Sequence, residues 1–200
     1  MQKNVTSIVY RGRQIPLFFH PYNCGLADTP RTTERTIELA LIDDFLTRHG
    51  DDAIELGAVS PYYFPGRIKE VVDPADKHEL VSARVSLFNY EFKGRNIVSV
   101  STIEHIGKDD YGGVSAHEDC TKALNLILGK SKSCLITFPV GYNQDLDEYV
   151  ITTQFGPQVH VTGYFRSMLY NDWQEKHDIV HLRKYPYGPK WANAVIVIEK

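Results

Sequence analysis

Glu104 and His105 stand side by side in the segment Ser101-Thr102-Ile103-Glu104-His105-Ile106-Gly107, directly after the apolar run Asn96 to Val100. An imidazole titrates near neutral pH, so His105 is a candidate general base for an acceptor that must lose a proton. The same two residues can equally orient a loop through backbone hydrogen bonds. A carboxylate and an imidazole also bind metals, but this segment would still need a distant ligand such as His160. No metal site is assigned. Asp73 closes a second apolar run, Ile68 to Val72. An acidic side chain there can accept both hydroxyls of a ribose, or simply open an Asp-Pro turn.

The elements that must hold these residues read as follows. SIVY and IPLFF flank Arg11-Gly12-Arg13-Gln14, which predicts an N-terminal hairpin over Thr6 to Phe19. Thr33 to Arg48 predicts a helix, with Thr33 as N-cap, Ile37, Leu41 and Phe45 on one face, and Gly50 as the stop. Ala53 to Val59, Ile68 to Val72, Arg84 to Phe88, Asn96 to Val100 and Ser133 to Phe138 predict strands. They are apolar with little alternation, as buried parallel strands are. Ser115 to Leu128 and Asp145 to Phe155 predict helices, and Ile179 to Tyr185 with Ala194 to Ile198 a terminal hairpin.

Strands alternating with helices define an α/β class. The expected fold is a Rossmann-like, mostly parallel sheet with flanking helices, a C-terminal antiparallel hairpin and an N-terminal β-hairpin cap over the ligand pocket. The expected division is residues 1–32 as hairpin and cap loop, and residues 33–200 as the α/β domain. In such sheets ligands bind beyond the carboxyl ends of the strands. Polar residues collect at those ends: Glu55, Gly57 and Ala58, then Asp73, then Asn89, then Ser101 and Thr102.

Composition narrows the function. The 200 residues carry 22 Lys and Arg against 25 Asp and Glu, a net charge of −3, which argues against a module that neutralises phosphates. With 42% hydrophobic and 24% charged residues the chain is globular. No apolar stretch approaches the roughly 20 residues of a membrane span, and the N-terminus lacks the apolar core of a signal peptide. Cys24, Cys120 and Cys134 are widely spaced and odd in number, which fits a reduced, cytoplasmic protein. The partners expected are a small-molecule acceptor, and neither nucleic acid nor membrane. Oligomeric state is unread.

The loop after the first parallel strand separates cofactor classes. A dinucleotide site needs G-x-G-x-x-G, so that pyrophosphate can sit on backbone N–H groups. Here Gly57 is followed by Ala58, Val59, Ser60, Pro61 and three aromatic residues, Tyr62 to Phe64. A cofactor without phosphates has no need of the missing glycines. AIELGAV, EVVD and NIVSVSTIEHIG together resemble successive motifs of the class I S-adenosylmethionine-dependent methyltransferases, over roughly residues 33 to 140. The resemblance implies S-adenosylmethionine as cofactor and methyl transfer by direct displacement. It implies Glu55, Gly57 and Ala58 at the methionine end, Asp73 at the ribose, Asn89 near the adenine, and Ser101 and Thr102 near the sulfonium. Glu104 and His105 would then face the acceptor, in a family where some members hold a metal with a related motif. The chain departs from the pattern in its single loop glycine and in Asn96.

Two alternatives stay open: a nucleotide-dependent oxidoreductase or epimerase, and a non-catalytic methyltransferase-like binding module. Arg35 could meet a cofactor carboxylate or form a solvated ion pair with Glu34. Tyr62 to Phe64 could wall a pocket or fill core. Gly129-Lys130-Ser131 is not a P-loop, because it enters a strand where a P-loop leaves one.

Overall fold

Two residues at positive φ, Arg11 and Gly12, close a tight antiparallel hairpin of β1 (Ser7–Tyr10) and β2 (Arg13–Pro16), with the handedness that two-residue turns require. The computed structural model describes residues 6–20, 33–113, 118–166, 173–185, 187–188 and 192–200. After the hairpin comes α1 (Arg35–His49), whose last turn is closed by Gly50 at φ 87°. Nearly all of its first half is buried, because one side packs on the main sheet and the other under the hairpin. Its start is one turn of irregular backbone without a side-chain cap, so Thr33 does not play the predicted N-cap role.

The main sheet has seven strands in the order β4-β3-β5-β6-β9-β7-β8. These are β3 (Ile54–Leu56), β4 (Glu70–Val72), β5 (Asn96–Val100), β6 (Ser133–Pro139), β7 (His160–Phe165), β8 (Gln174–Lys176) and β9 (Ala194–Glu199). β4, β3, β5 and β6 are parallel neighbours, whereas β9 runs antiparallel between β6 and β7. The four-residue α2 (Ser60–Tyr63) follows β3, α3 (Cys120–Lys130) precedes β6, and α4 (Gln144–Thr152) follows it. One face of the sheet is covered by α1 and the hairpin, the other by α3, α4 and the 3-10 turn at Ile179–Lys184. The central strand β5 is buried at every position because its side chains meet both layers. Among the described residues, no helix is long and apolar enough to cross a membrane.

Three expectations are corrected. The C-terminal antiparallel hairpin is absent: Ile179–Lys184 is a 3-10 helix started by the Asp178 side chain, and β9 is an interior strand. Its unbroken apolar run AVIVIE, buried at all six positions, belongs between two partners and not at an edge. Arg84 to Phe88 is not a strand: only Ala83 bridges to Val72, and Ser86 then caps a 3-10 turn over Leu87–Asn89. The hairpin does not cap the pocket. Tyr10 donates to Glu199 Oε2 at 2.6 Å, and Glu199 pairs with Leu135 near the start of β6, so the hairpin turn lies at the opposite end of the sheet from the strand tips. Residues 21–32, with Cys24 and most of the predicted cap loop, lie outside the described residues, as do Ser115 to His117 at the predicted start of α3.

Candidate functional site

From β3 the chain crosses outward to β4, then returns to β5 on the other side of β3. The strand order therefore reverses between β3 and β5, and the crevice at that switch point is where open α/β sheets bind ligands. A cavity of about 670 Å³ opens there, within the size range of cofactor sites. Gly57, Ala58, Asp73, Ser101, Thr102 and His105 line it. Six of the nine predicted site residues are thus brought to one cavity. Glu55, Asn89 and Glu104 are not on its wall. Asn89 is exposed at the end of the 3-10 turn, where Ser86 and Leu87 take the wall instead.

Glu55 is fully buried. Its Oε1 accepts from the backbone N–H groups of Val59 at 3.1 Å and Ser60 at 2.8 Å, and the Ser60 hydroxyl donates to its Oε2. Burial pushes its carboxyl up to about 7, against the pull of the Ser60 hydrogen bonds. Its carboxylate therefore fills the amino end of α2 from below. Gly57 sits at φ 92°, and a Cβ on it would overlap the Thr102 side chain. The glycine lets the tips of β3 and β5 touch.

Asp73 ends β4. Its Oδ1 accepts from Ala75 and Asp76 N–H, each at 2.8 Å, and Oδ2 accepts from Ala58 N–H at 3.0 Å. Both lone-pair directions of Oδ1 are taken, and one on Oδ2 remains for a ligand. Ser101 lies at φ 43°, in the left-handed region that non-glycine residues seldom adopt. Its hydroxyl donates to Glu38 Oε1 at 2.8 Å, and the Thr137 hydroxyl donates to the same oxygen at 2.9 Å. Glu38 Oε2 accepts from Arg35 at 2.5 Å, so one fully buried carboxylate ties α1 to β5 and β6 and holds a guanidinium on the cavity wall. Burial works against the Arg35 charge, but Glu38 and Glu34 more than offset it.

His105 Nδ1 lies 2.9 Å from Asp110 Oδ2 and 3.0 Å from the Tyr142 hydroxyl, which itself donates to Asp110 Oδ2 at 2.8 Å. Burial pulls the imidazole below its ordinary value, against the upward pull of Asp110. Glu104 is buried behind it, with Oε1 3.7 Å from His105 Nε2 and Oε2 without a hydrogen-bond partner. Burial holds the Glu104 carboxyl well above the usual range, and Glu38 adds to this. His160 is at the other end of the sheet, in register with Glu199. Among the described residues no three His, Cys, Asp or Glu side chains are grouped to hold a metal.

Sequence reasoning missed several wall residues. Arg35 reads as half of a solvated ion pair, yet its partner is the buried Glu38. The signal was Glu34, Arg35 and Glu38 together at the start of an otherwise apolar helix. Tyr62, Asp76 and His78 also line the cavity, with the Tyr62 hydroxyl donating to Asp76 Oδ2 at 2.9 Å.

No known protein family matches the sequence, and no curated protein does. Among solved structures, a similarity to the methyltransferase domain of bacterial CtHen1-CN covers 84% of this chain and 100% of that one. The identity is 11% and the TM-score 0.39, too low to assign a family.

Proposed function

We propose that the cavity binds S-adenosylmethionine and that the protein transfers its methyl group to a small-molecule acceptor. The observation that carries this reading is the Glu55 carboxylate seated on the Val59 and Ser60 N–H groups. In dinucleotide folds those N–H groups, at the start of the helix after the first strand, receive the pyrophosphate. Here they are occupied by a side chain that would repel one, which speaks against the oxidoreductase alternative. A cofactor with a sulfonium and no phosphate fits the same crevice.

The fit extends along the cavity. The open lone pair of Asp73 Oδ2 can accept a ribose hydroxyl. Arg35 offers the cation that a methionine carboxylate needs, and Glu38 fixes its direction. When bound, the cofactor supplies a methyl carbon already activated by its sulfonium. The residues need to align the acceptor with that carbon and exclude water, so proximity and orientation supply much of the rate. Glu104 and His105, beyond Ser101 and Thr102, stand on the acceptor side.

Calorimetry tests the reading. S-adenosylhomocysteine is expected to bind with 1:1 stoichiometry, and NAD and sugar nucleotides are not. No binding of S-adenosylhomocysteine at millimolar concentration would overturn it. Binding without turnover on any acceptor would favour the non-catalytic module.

A further inference from the structure

We infer that Asp110 and Tyr142 position His105 as a base and that the acceptor nucleophile is a hydroxyl group. The inference rests on the methyl-transfer reading and names its substrate class. A carboxylate only accepts hydrogen bonds, so Asp110 Oδ2 at 2.9 Å from His105 Nδ1 requires the proton on Nδ1. The Tyr142 hydroxyl already donates to the same carboxylate oxygen at 2.8 Å, which leaves Nδ1 the second donor of a closed triangle. The imidazole lone pair is then on Nε2. Tyr111 and Tyr142 meet the ring edge-on, with centroids 5.0 and 4.6 Å away, and fix its plane.

Tyr142 lies in the loop after β6 and Asp110 in the loop after β5, so two strand tips converge on this one ring. Such an arrangement is superfluous for an amine, which attacks through a free lone pair and sheds its proton afterwards. A thiol loses its proton readily at neutral pH. An alcohol or sugar hydroxyl is a poor nucleophile until a base withdraws its proton. The step balances as follows. The hydroxyl proton passes to His105 Nε2, and the oxygen pair forms the new bond to the methyl carbon. The carbon–sulfur bond breaks with its pair left on sulfur. The products are a methyl ether and S-adenosylhomocysteine, and the imidazolium later releases its proton to solvent. The charged and titratable groups facing the ring are Asp110, Tyr142, Tyr111, Glu104, Arg35 and Asp73.

The test uses the full chain and its Asp110→Asn, Asp110→Glu and Tyr142→Phe variants. Nitrogen-15 NMR reads the tautomer of His105, and calorimetry reads S-adenosylhomocysteine affinity. Turnover with S-adenosylmethionine is followed on two probe sets, methyl glycosides with phenols, and alkylamines. The expected wild-type protein shows the Nδ1–H tautomer and forms methyl ethers, with a rate that rises with pH through the imidazole titration. Asp110→Asn is expected to mix the tautomers and lower kcat by roughly 10²-fold, with KM for S-adenosylmethionine changed by less than about twofold. Its pH midpoint moves down, because Asp110 pulls the imidazole up. Asp110→Glu recovers part of the rate, and Tyr142→Phe keeps the tautomer while loosening the ring. An Nε2–H tautomer in the wild type overturns the inference alone. So does turnover confined to amines, no ether from a protein that binds S-adenosylhomocysteine, or an unshifted profile in Asp110→Asn. A wild type that does not bind S-adenosylhomocysteine overturns the cofactor reading together with it.

Discussion

Gly57 and Thr102 meet so closely where the tips of β3 and β5 join that a Cβ on Gly57 would lie 1.9 Å from the Thr102 Oγ1 and 2.7 Å from its Cβ. The contact sets the floor of the cavity, since both residues line it. Gly57→Ala faces two penalties, the overlap and a φ of 92° that an L side chain resists. The expected loss of stability is about 2–4 kcal/mol, read by denaturant melts. Thr102→Gly in the same chain should return the overlap part and leave the φ part. A double mutant no more stable than Gly57→Ala would show that the two tips do not press on each other.

Glu199 anchors the far end of the molecule. Nearly buried at the end of β9, it accepts from Tyr10, Arg11 and Arg48, and so ties the hairpin and α1 to the sheet. Burial raises its carboxyl, but the hydrogen bonds from Arg48 and Tyr10 outweigh this and hold it below its usual value. A lowered value means a contribution present above the unfolded carboxyl range and lost as pH falls through the folded one. Glu199→Ala is expected to cost about 2–4 kcal/mol at pH 7 and less at pH 3. Hydrogen exchange should then quicken first in β1, whose Val9 carbonyl accepts from Tyr164 at 2.7 Å.

How much of this was legible in the sequence differs by element, for physical reasons. β5 was legible to the residue, because a short apolar run has one place to go in an α/β sheet. The gathering of Gly57, Asp73, Ser101 and His105 at one cavity was legible too, since all follow strand ends. The place of β9 was not, because register against β6 and β7 is set by long-range pairing that leaves no local signature. β7 was missed because HVTGYF mixes polar residues and a glycine into the strand, where Leu182 packs against Gly163. The direction of Glu55 was invisible as well: a carboxylate at a strand end can face a ligand or the turn beyond it, and the Ser60 N–H and hydroxyl decided for the turn. Nothing local joins His105 to Tyr142, which is brought in only by the tip of β6.

Glu55 should make stability depend on pH in the opposite sense to Glu199. Its carboxyl titrates at about 7 in the fold and near the ordinary carboxylate value when unfolded. Between those values the folded chain binds the extra proton, so stability falls as pH rises through that window and levels off above it. Glu55→Gln keeps an oxygen for the Val59 and Ser60 N–H groups and an amide to donate to the Ser60 hydroxyl, but does not titrate. Relative to this variant, wild-type stability should decline between about pH 5 and 8 by an amount on the order of 3 kcal/mol. A difference that stays flat over that range would mean Glu55 is ionised throughout and that α2 receives a full negative charge.

Asp73 separates binding from folding. Alanine there would strip acceptors from Ala58, Ala75 and Asp76 at once, so lost affinity could be lost loop structure. Asparagine is the sharper change. Its carbonyl can keep the two N–H groups now on Oδ1, while its amide replaces Oδ2, the oxygen with the open lone pair. The contact with Ala58 N–H becomes donor against donor, and a ribose hydroxyl meets a donor where it met an acceptor. A hydrogen bond to a charged group contributes about 1.5–3 kcal/mol, so S-adenosylhomocysteine should bind roughly 10- to 100-fold more weakly to Asp73→Asn. The melting midpoint should fall by a few degrees at most, since one of three backbone bonds is lost. Calorimetry and thermal melts on the same preparation check both halves. Unchanged affinity would place the ribose away from β4, whereas equal losses of affinity and stability would make Asp73 a loop residue alone.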